Sequence, residues 1–246
     1  MKWPVYLGVL VVLTLVTLVA TAPLSFVMER AGQSVPALRY LGTSGTIWQG
    51  RVDDLEYGIQ PVGDLALETH PSALLMGRWS ADFQLTDAEI VAAGSVSASL
   101  GGDVSLKDLR MSGRTRDLMS IRQEVRELDG RFTLDLDELK LRNETCVSAD
   151  GDVWTDILTR LETQYDWKGP ELSGPVSCED GRIALRMNGV GEAGEIVSIE
   201  LLMGLNATGS FVARIENPTE DIAQAATLLG FVTRGDTLEY VHRISR

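Results

Sequence analysis

The sequence is short of the side chains that most enzymes use for chemistry. Its 246 residues include two histidines, His70 and His242, and two cysteines. His70 precedes a proline, a position more typical of a strand end than of a proton-transfer group. Neighbouring carboxylates such as Asp53-Asp54 and Glu179-Asp180 have the turn setting of solvated acids, without the apolar surroundings of an acid–base pair. The sequence therefore predicts no catalytic residues, no metal ligands and no cofactor.

Long basic stretches are absent as well. The chain has 35 acidic and 22 basic residues, which give a formal net charge of −13. Such a chain as a whole repels the phosphates of nucleic acids and anionic lipid head groups. We therefore expect no nucleic-acid partner and favour a protein partner with a neutral or basic surface.

The two cysteines, Cys146 and Cys178, have no histidine near them that could complete a zinc site. In an oxidising compartment such a pair indicates one disulfide, which would contribute ~3–4 kcal/mol for a loop of this length. Two buried free thiols are the alternative. We predict the disulfide.

One long hydrophobic run stands at the start of the chain. The eighteen residues from Val5 to Ala22 carry no charge, and at ~1.5 Å per residue such a helix crosses most of a bilayer core of ~30 Å. A secretory signal peptide is the alternative, because Ala20-Thr21-Ala22 has the form of a cleavage site. Pro23 would follow the cleaved bond and opposes that reading. We predict a short cytoplasmic end and an uncleaved transmembrane anchor over residues 1–22, followed by an exported β-rich domain over residues 23–246.

In the rest of the chain apolar and polar residues mostly alternate, which is the pattern of strands with one buried and one solvent-exposed face. The gaps between the alternating segments are mostly too short for the helices of a parallel β/α fold. The sequence therefore predicts a mainly β chain: one large, curved antiparallel meander with a few short helices. The alternating segments are Leu55–Ile59, Trp79–Leu85, Val96–Leu100, Phe132–Leu136, Leu139–Leu141, Ile183–Met187 and Phe211–Ile215.

A Gly-Arg pair precedes an apolar residue at three of these segments, and the recurrence suggests a repeated unit. The pairs are Gly77-Arg78, Gly130-Arg131 and Gly181-Arg182. Chance recurrence in a chain with 24 glycines is the alternative.

Helical patterns are few. Asp117 to Leu128 places apolar residues on one face, and Asn217-Pro218-Thr219-Glu220 has the cap and first turn of a helix that would close at Gly230. Shorter helical turns are expected around residues 72–76 and 154–161.

Two motifs are interpreted as turns. Residues 189–194, GVGEAG, match the dinucleotide fingerprint, but the following EIVSIELL is typical of a strand, and the fingerprint requires a helix there. We interpret the segment as a wide hairpin turn. Arg234-Gly235-Asp236 is interpreted as a tight turn between two short strands.

Two segments carry a family resemblance. The first is Ser44-Gly45-Thr46-Ile47-Trp48-Gln49-Gly50, and the second is Trp167-Lys168-Gly169-Pro170 followed by Cys178-Glu179-Asp180-Gly181. With the N-terminal hydrophobic run and HPSALLMGRW, they make the chain resemble the type II secretion system protein N family, also called general secretion pathway protein N. We expect Trp48 to lie in the first strand and to bury its ring on one face of the sheet.

The resemblance implies an inner-membrane protein of Gram-negative bacteria, with its bulk in the periplasm and no known enzymatic activity. We therefore expect a non-enzymatic accessory subunit that docks with other secretion components. The alternative is an envelope protein that binds lipid acyl chains in a groove of its curved sheet.

Overall fold

A computed structural model describes residues 3–35, 37–74, 76–86, 89–99, 101–119, 123–143, 145–162, 167–205, 208–228 and 230–244. Most of these residues lie in antiparallel strands that pair with their neighbours along the chain. The predicted mainly β, antiparallel meander with a few short helices is therefore confirmed, while the curvature of the sheet stays a prediction. The chain divides into two compact units, Met1–Ala88 and Glu89–Arg246.

The first unit begins with helices and continues with strands. Helix α1 spans Trp3–Ala20, α2 spans Leu24–Ser34, and the short α3 spans Pro71–Leu74. The strands are β1 Leu38–Arg39, β2 Gly42–Gly45, β3 Gln49–Tyr57, β4 Gln60–Thr69 and β5 Arg78–Thr86. Strand β3 pairs with β4 and β4 with β5, while β1 and β2 pair with opposite ends of β3.

Helix α2 covers one face of the first unit's strands. Leu24 and Met28 lie one helical turn apart and are buried against Val52 and Leu55 of β3. Leu38, Tyr40, Val62, Leu65 and Leu67 pack around this cluster. The i, i+4 spacing in α2 thus provides the apolar stripe that the strands need on one face.

Helix α1 carries the predicted anchor, of which Met1 and Lys2 lie outside the described residues. Among the residues that the structure describes, no helix is identified as long and apolar enough to cross a bilayer. The membrane anchor therefore stays a prediction.

The second unit is a meander of longer strands. They are β6 Val91–Ser99, β7 Asp103–Arg114, β8 Arg131–Arg142, β9 Thr145–Thr155, β10 Leu172–Glu179, β11 Arg182–Val190, β12 Ile196–Met203, β13 Gly209–Glu216, β14 Val232–Arg234 and β15 Thr237–Ile244. From β6 to β13 each strand pairs with the next in the chain, and β13 then pairs with β15. Strand β14 lies beyond β15.

Strand β8 corrects one detail of the sequence prediction. The two short apolar segments around Leu134 and Leu141 form a single strand, interrupted in its pairing by a register shift between Leu136 and Glu138. A bulge adds one residue and reverses the phase of the alternation, so Leu136 and Leu139 are both buried. The change of phase in the sequence thus marks a bulge and not a strand end.

The second unit's main core lies under helix α5, which spans Glu220–Leu228. Ile222 and Ala226 of α5 are buried, and Phe231 packs beside them. They lie against strand residues Leu172, Val197, Ile215 and Leu238. Thr219 caps the helix, because its hydroxyl accepts a hydrogen bond from the Ile222 N–H at 3.4 Å. The predicted helix therefore forms, but its cap is Thr219 and not Asn217.

The other helical predictions are met in shorter form. A 3₁₀ turn spans Thr115–Asp117 and α4 spans Gln123–Arg126, where one helix from Asp117 to Leu128 was predicted; residues 120–122 lie outside the described part of the chain. A 3₁₀ helix spans Ile157–Leu161. Trp154, predicted to begin that helix, belongs to β9.

Candidate functional site

The segment Ser44–Gly50 is a hairpin turn and not the strand start that the sequence predicts for Trp48. Ser44 and Gly45 end β2, Gln49 and Gly50 begin β3, and Ile47 and Trp48 lie between the two strands. The Thr46 N–H donates to the Gln49 carbonyl at 2.9 Å. The Thr46 hydroxyl accepts hydrogen bonds from the Trp48 and Gln49 N–H groups at 3.3 Å each. This side-chain capping by Thr46 competes with strand pairing and closes the turn.

Two glycines permit this turn. Gly45 has φ +83°, a left-handed conformation that glycine adopts without strain. At Gly50 a Cβ would lie 2.7 Å from both Leu24 Cδ2 and the Thr46 carbonyl oxygen. The spacing of the two glycines therefore reflects one turn conformation and one close approach to α2.

The turn holds the end of helix α1. The Trp48 indole N–H donates to the Val19 carbonyl at 2.9 Å, and the Ile47 N–H donates to the Ala22 carbonyl at 3.0 Å. Pro23 forms an isolated bridge with Thr46. Carbonyls in the last turn of a helix lack partners within the helix, so the indole satisfies one of them. The segment thus joins α1 to the strands of the first unit.

The segment Trp167–Pro170 fastens the turn between β11 and β12. The Trp167 indole N–H donates to Glu195 Oε1 at 2.8 Å, and Lys168 Nζ lies 2.8 Å from Glu192 Oε1. Gly169 and Pro170 are buried, and the Gly169 N–H donates to the Leu158 carbonyl at 3.2 Å. Residues 189–194 therefore lie in a hairpin whose turn is held by this segment, as the turn interpretation of GVGEAG predicts.

The two glutamates of this turn differ in their surroundings. Glu195 is buried, and its Oε2 also accepts a hydrogen bond from the Ala193 N–H at 3.1 Å. Glu192 is exposed, and its hydrogen bond with Lys168 lowers the pKa of the Glu192 carboxyl and raises the pKa of the Lys168 ammonium. Glu195 therefore stabilises the turn from within, while Glu192 contributes a solvated ion pair.

Cys146 and Cys178 form the predicted disulfide, with their Cα atoms 5.5 Å apart. The paired residues of β9 and β10 run from Asp152↔Pro175 to Thr155↔Leu172. The disulfide lies beyond the Asp152↔Pro175 pair, towards the other end of the two strands. The Cys146 N–H donates to the Gly181 carbonyl at 2.8 Å. The disulfide thus joins these two strands where their paired register has ended.

A buried carboxylate organises the start of β8. The Asp156 side chain accepts hydrogen bonds from the Arg131 N–H at 2.6 Å, from Arg131 Nε at 2.9 Å and from Arg160 at 2.9 Å. Burial alone would raise the pKa of Asp156, but the hydrogen bonds from the Arg131 main chain and guanidinium and from Arg160 lower it below its ordinary value. Asp156 therefore stays ionised and links β8 to the helical turn after β9.

A ladder of ion pairs of alternating sign crosses the strands from β10 to β14. Arg186 contacts Glu179 and lies 3.2 Å from Glu200; Arg214 lies 3.9 Å from Glu200 and 3.2 Å from Glu239; Arg234 lies 3.0 Å from Glu239. The contacts with Glu179 and then Glu200 raise the pKa of Arg186. We call these six residues the charge ladder. Each of the six strands contributes one of these residues, but their alignment depends on strand register, which the sequence does not specify.

The described residues hold no group of three or more His, Cys, Asp or Glu side chains arranged as metal ligands. The hydrogen bonds of Trp48 and Trp167 make the two segments structural junctions, one at the end of α1 and one at the β11–β12 turn.

Comparison with known proteins identifies the family. Residues 36–238 match the family model described as type II secretion system (T2SS), protein N. The chain belongs to the type II secretion system protein N family. The predicted family is thus confirmed over most of the chain, including both segments and both cysteines. No curated protein matches the chain, and neither does any solved structure.

Membership of the protein N family makes this chain an accessory component of type II secretion, and the family description names a secretion component and not an enzyme. In this family member the sequence did not predict the structural contacts of Asp156, Glu195 and the charge ladder. Trp167 was recognised by resemblance, but no signal in the sequence paired it with Glu195, 28 positions away.

The C-terminal edge of the second unit is partly open. Strand β15 pairs with β13 from Thr237 to Ile244, but β14 pairs only with Thr237–Glu239. No described strand pairs with the outer edge of residues 240–244. The predicted two-residue turn Gly235-Asp236 makes Arg234 and Thr237 a hydrogen-bonded pair, and such pairs alternate along a ladder. Val241 and Arg243 therefore direct their main-chain N–H and C=O groups towards the open edge.

Proposed function

We propose that this chain is a non-enzymatic accessory component of the type II secretion system, anchored in the inner membrane of a Gram-negative bacterium with its β-rich domain in the periplasm. The match to the protein N family carries the proposal. The disulfide supports the periplasmic location, because disulfides persist in oxidising compartments. Partners are other secretion components.

The proposed anchor is α1. The run from Val5 to Ala22 has no charged residue, and the described leucines Leu7, Leu10, Leu13 and Leu18 are all exposed. A helix with a broad face of exposed leucines requires either another protein surface or lipid. Lys2 at the N-terminal side supports an orientation with that end in the cytoplasm.

The proposed docking mode is strand addition at the open edge of β15. Five residues, 240–244, offer an edge of ~17 Å at ~3.4 Å per residue. A strand of a partner would form main-chain hydrogen bonds with Val241 and Arg243, and alternating side chains would select the partner. Val241, His242 and Arg243 are exposed, so their side chains are accessible to a partner strand.

The substitution Val241→Pro tests this mode. It removes an N–H that faces the open edge, and proline is tolerated in edge strands at such positions. Val241→Thr is the matched control, because threonine is also β-branched and keeps the N–H. Both full-length variants are expressed in cells lacking the native gene, and crosslinks to secretion components and substrate export are measured.

We expect Val241→Pro to lose the crosslinks and reduce export, while Val241→Thr keeps both. Unchanged crosslinks and export with Val241→Pro would exclude docking at this edge. Normal export together with no crosslink of the native chain to any secretion component would exclude the accessory role itself.

The alternative function, binding of lipid acyl chains, is favoured by one observation. Leu185, Leu201 and Phe211 lie opposite one another on β11, β12 and β13, and they are only half-buried. Apolar side chains in a row of this kind can contact an acyl chain. Native mass spectrometry of protein purified from membranes tests this function, and the absence of co-purified lipid would oppose it.

A further inference from the structure

Several exposed apolar side chains lie at the end of the first unit that holds α1. The hydrogen bonds from Trp48 and Ile47 fix the carbonyls of Val19 and Ala22 to the turn between β2 and β3. On the other side of that turn, the Trp48 carbonyl accepts a hydrogen bond from the Thr69 N–H at 2.7 Å. The end of β4 therefore lies beside the end of α1.

The segment between β4 and β5 leaves the strands at this same end. The His70 N–H donates to the Ser80 carbonyl at 2.8 Å, which closes the base of the segment. Leu74 and Met76 are exposed, with 75% of the Met76 surface accessible, and Trp79 is 40% exposed. Residues 71–79, PSALLMGRW, include Arg78 and no acidic residue, in a chain that has 35 acidic residues.

The first turn of α2 adds two more apolar side chains. Leu24 and Met28 are buried against β3, whereas Phe26 and Val27 face outwards and are exposed. The Phe26 N–H donates to the carbonyl of Pro23, the residue that bridges to Thr46. We call Phe26, Val27, Leu74, Met76 and Trp79 the apolar rim.

Single exposed apolar residues are common on protein surfaces and need no explanation. The apolar rim differs because its members are grouped beside the end of an uncharged helix. We propose that the apolar rim contacts the periplasmic leaflet of the bilayer in which α1 lies. This inference rests on the proposed anchor.

The chemistry of the rim fits an interfacial contact. Tryptophan at a membrane surface places its apolar ring among the lipids and its N–H near water, and Phe, Leu and Met add buried apolar area. Arg78 is attracted to anionic head groups, and residues 71–79 hold no carboxylate that would oppose this approach. A second contact beside α1 would fix the tilt of the first unit's strands relative to the membrane surface, because a single helix leaves that tilt free.

The experiment measures lipid contact by fluorescence. Full-length protein with a single introduced cysteine is labelled with an environment-sensitive dye. It is reconstituted into phosphatidylethanolamine–phosphatidylglycerol vesicles that contain either shallow or deep spin-labelled lipid, because the middle of a spanning helix lies near the bilayer centre. The described cysteines are both in the disulfide, so the introduced thiol is labelled selectively. The labelled variants are Met76→Cys for the rim, Leu13→Cys for α1 and Ile59→Cys as the control.

Ile59 is a matched control because it is 74% exposed, close to the value for Met76. It lies in the turn between β3 and β4, and the nine residues of β3 separate it from the turn that holds Trp48. We expect a blue shift and lipid quenching of the dye at Met76→Cys and no change at Ile59→Cys, with quenching at Leu13→Cys.

Quenching at Leu13→Cys with a Met76→Cys signal equal to that of Ile59→Cys would overturn the contact of the rim and leave the anchor in place. Quenching at Met76→Cys without quenching at Leu13→Cys would overturn the anchor, and with it the placement of the rim beside a membrane-spanning α1. The absence of quenching at both positions would overturn both.

Discussion

Trp48 donates its indole N–H to the carbonyl oxygen of Val19 across 2.9 Å, so a residue of the first hairpin turn satisfies the end of a helix 29 positions earlier. With the hydrogen bond from the Ile47 N–H to the Ala22 carbonyl, this bond ties the end of α1 to the strands. The Thr46 hydroxyl supports it by fixing the turn in which Trp48 lies.

Replacement of Trp48 by Phe keeps a ring and removes the donor. We expect the junction between α1 and the strands to lose about 1 kcal/mol, the net worth of a typical hydrogen bond. Limited proteolysis at residues 20–23 and amide exchange in the last turn of α1 measure the effect. Trp79→Phe is the control, because Trp79 is an exposed tryptophan of the same unit; equal proteolysis rates for the two variants would contradict the role of the bond.

Replacement of Asp156 by Asn removes the charge that Arg131 and Arg160 bind. We expect a loss of roughly 2–3 kcal/mol in the free energy of unfolding, because hydrogen bonds to charged groups are stronger than neutral ones. Chemical denaturation at pH 7 measures it. Asp152→Asn, at an exposed position of β9, is the control and is expected to have little effect.

Asp156 also gives stability a pH dependence of known sign. Its pKa is lower in the folded chain than in the unfolded chain, where an aspartate titrates at ~3.9. Its contribution is therefore complete above that value and is lost as the pH falls through the folded pKa. The stability curves of the native chain and of Asp156→Asn should converge as the pH falls from 5 towards 3. Parallel curves over that range would contradict the assignment.

Replacement of Glu195 by Gln tests whether the buried Glu195 carboxylate, which accepts from Trp167, stabilises the β11–β12 turn. The amide oxygen can still accept from Trp167, but the NH₂ group would then face the Ala193 N–H, so neither of these two donors would have an acceptor. We expect a loss of about 1–3 kcal/mol, measured by thermal or denaturant unfolding. Glu192→Gln, in the same turn but exposed, should have a smaller effect. A larger effect for Glu192→Gln would show that the solvated pair and not the buried carboxylate holds the turn.

Replacement of both Cys146 and Cys178 by Ser removes the disulfide without leaving a free thiol. We expect a loss of ~3–4 kcal/mol, because the bond closes a loop of 32 residues in the unfolded chain. Denaturant unfolding of the double variant measures it. Reducing agent added to the native chain should give the same loss, and a native chain insensitive to reduction would contradict the prediction.

The fold class could be predicted from the sequence because alternation of apolar and polar residues is a local signal. It identified β5, β11 and β13 directly, as at Trp79–Leu85. Trp48 was misplaced because the left-handed Gly45 and the Thr46 hydroxyl together turn an otherwise strand-like segment into a hairpin. In β8 the alternation changes phase at a bulge, which a local pattern cannot distinguish from a strand end.

The buried carboxylates and the charge ladder could not be predicted for a different reason. Asp156 and Glu195 look like the other acids of a chain with 35 of them, and only tertiary contacts with Arg131 and Trp167 distinguish them. The ladder depends on which residues lie opposite across neighbouring strands. Register is set by the assembled sheet and is not readable from one strand at a time.

The charge ladder also bears on which strand register a sheet with one apolar face adopts. A slip of one residue exposes the apolar side chains, but a slip of two keeps each of them on its own face, so hydrophobicity does not oppose it. In the native register Arg186 lies opposite Glu200 and Arg214 opposite Glu239. A two-residue slip would place Ser198 or Leu202 opposite Arg186, and Thr237 or Val241 opposite Arg214. The alternating charges thus favour the native register over a two-residue slip, which the apolar pattern alone would accept.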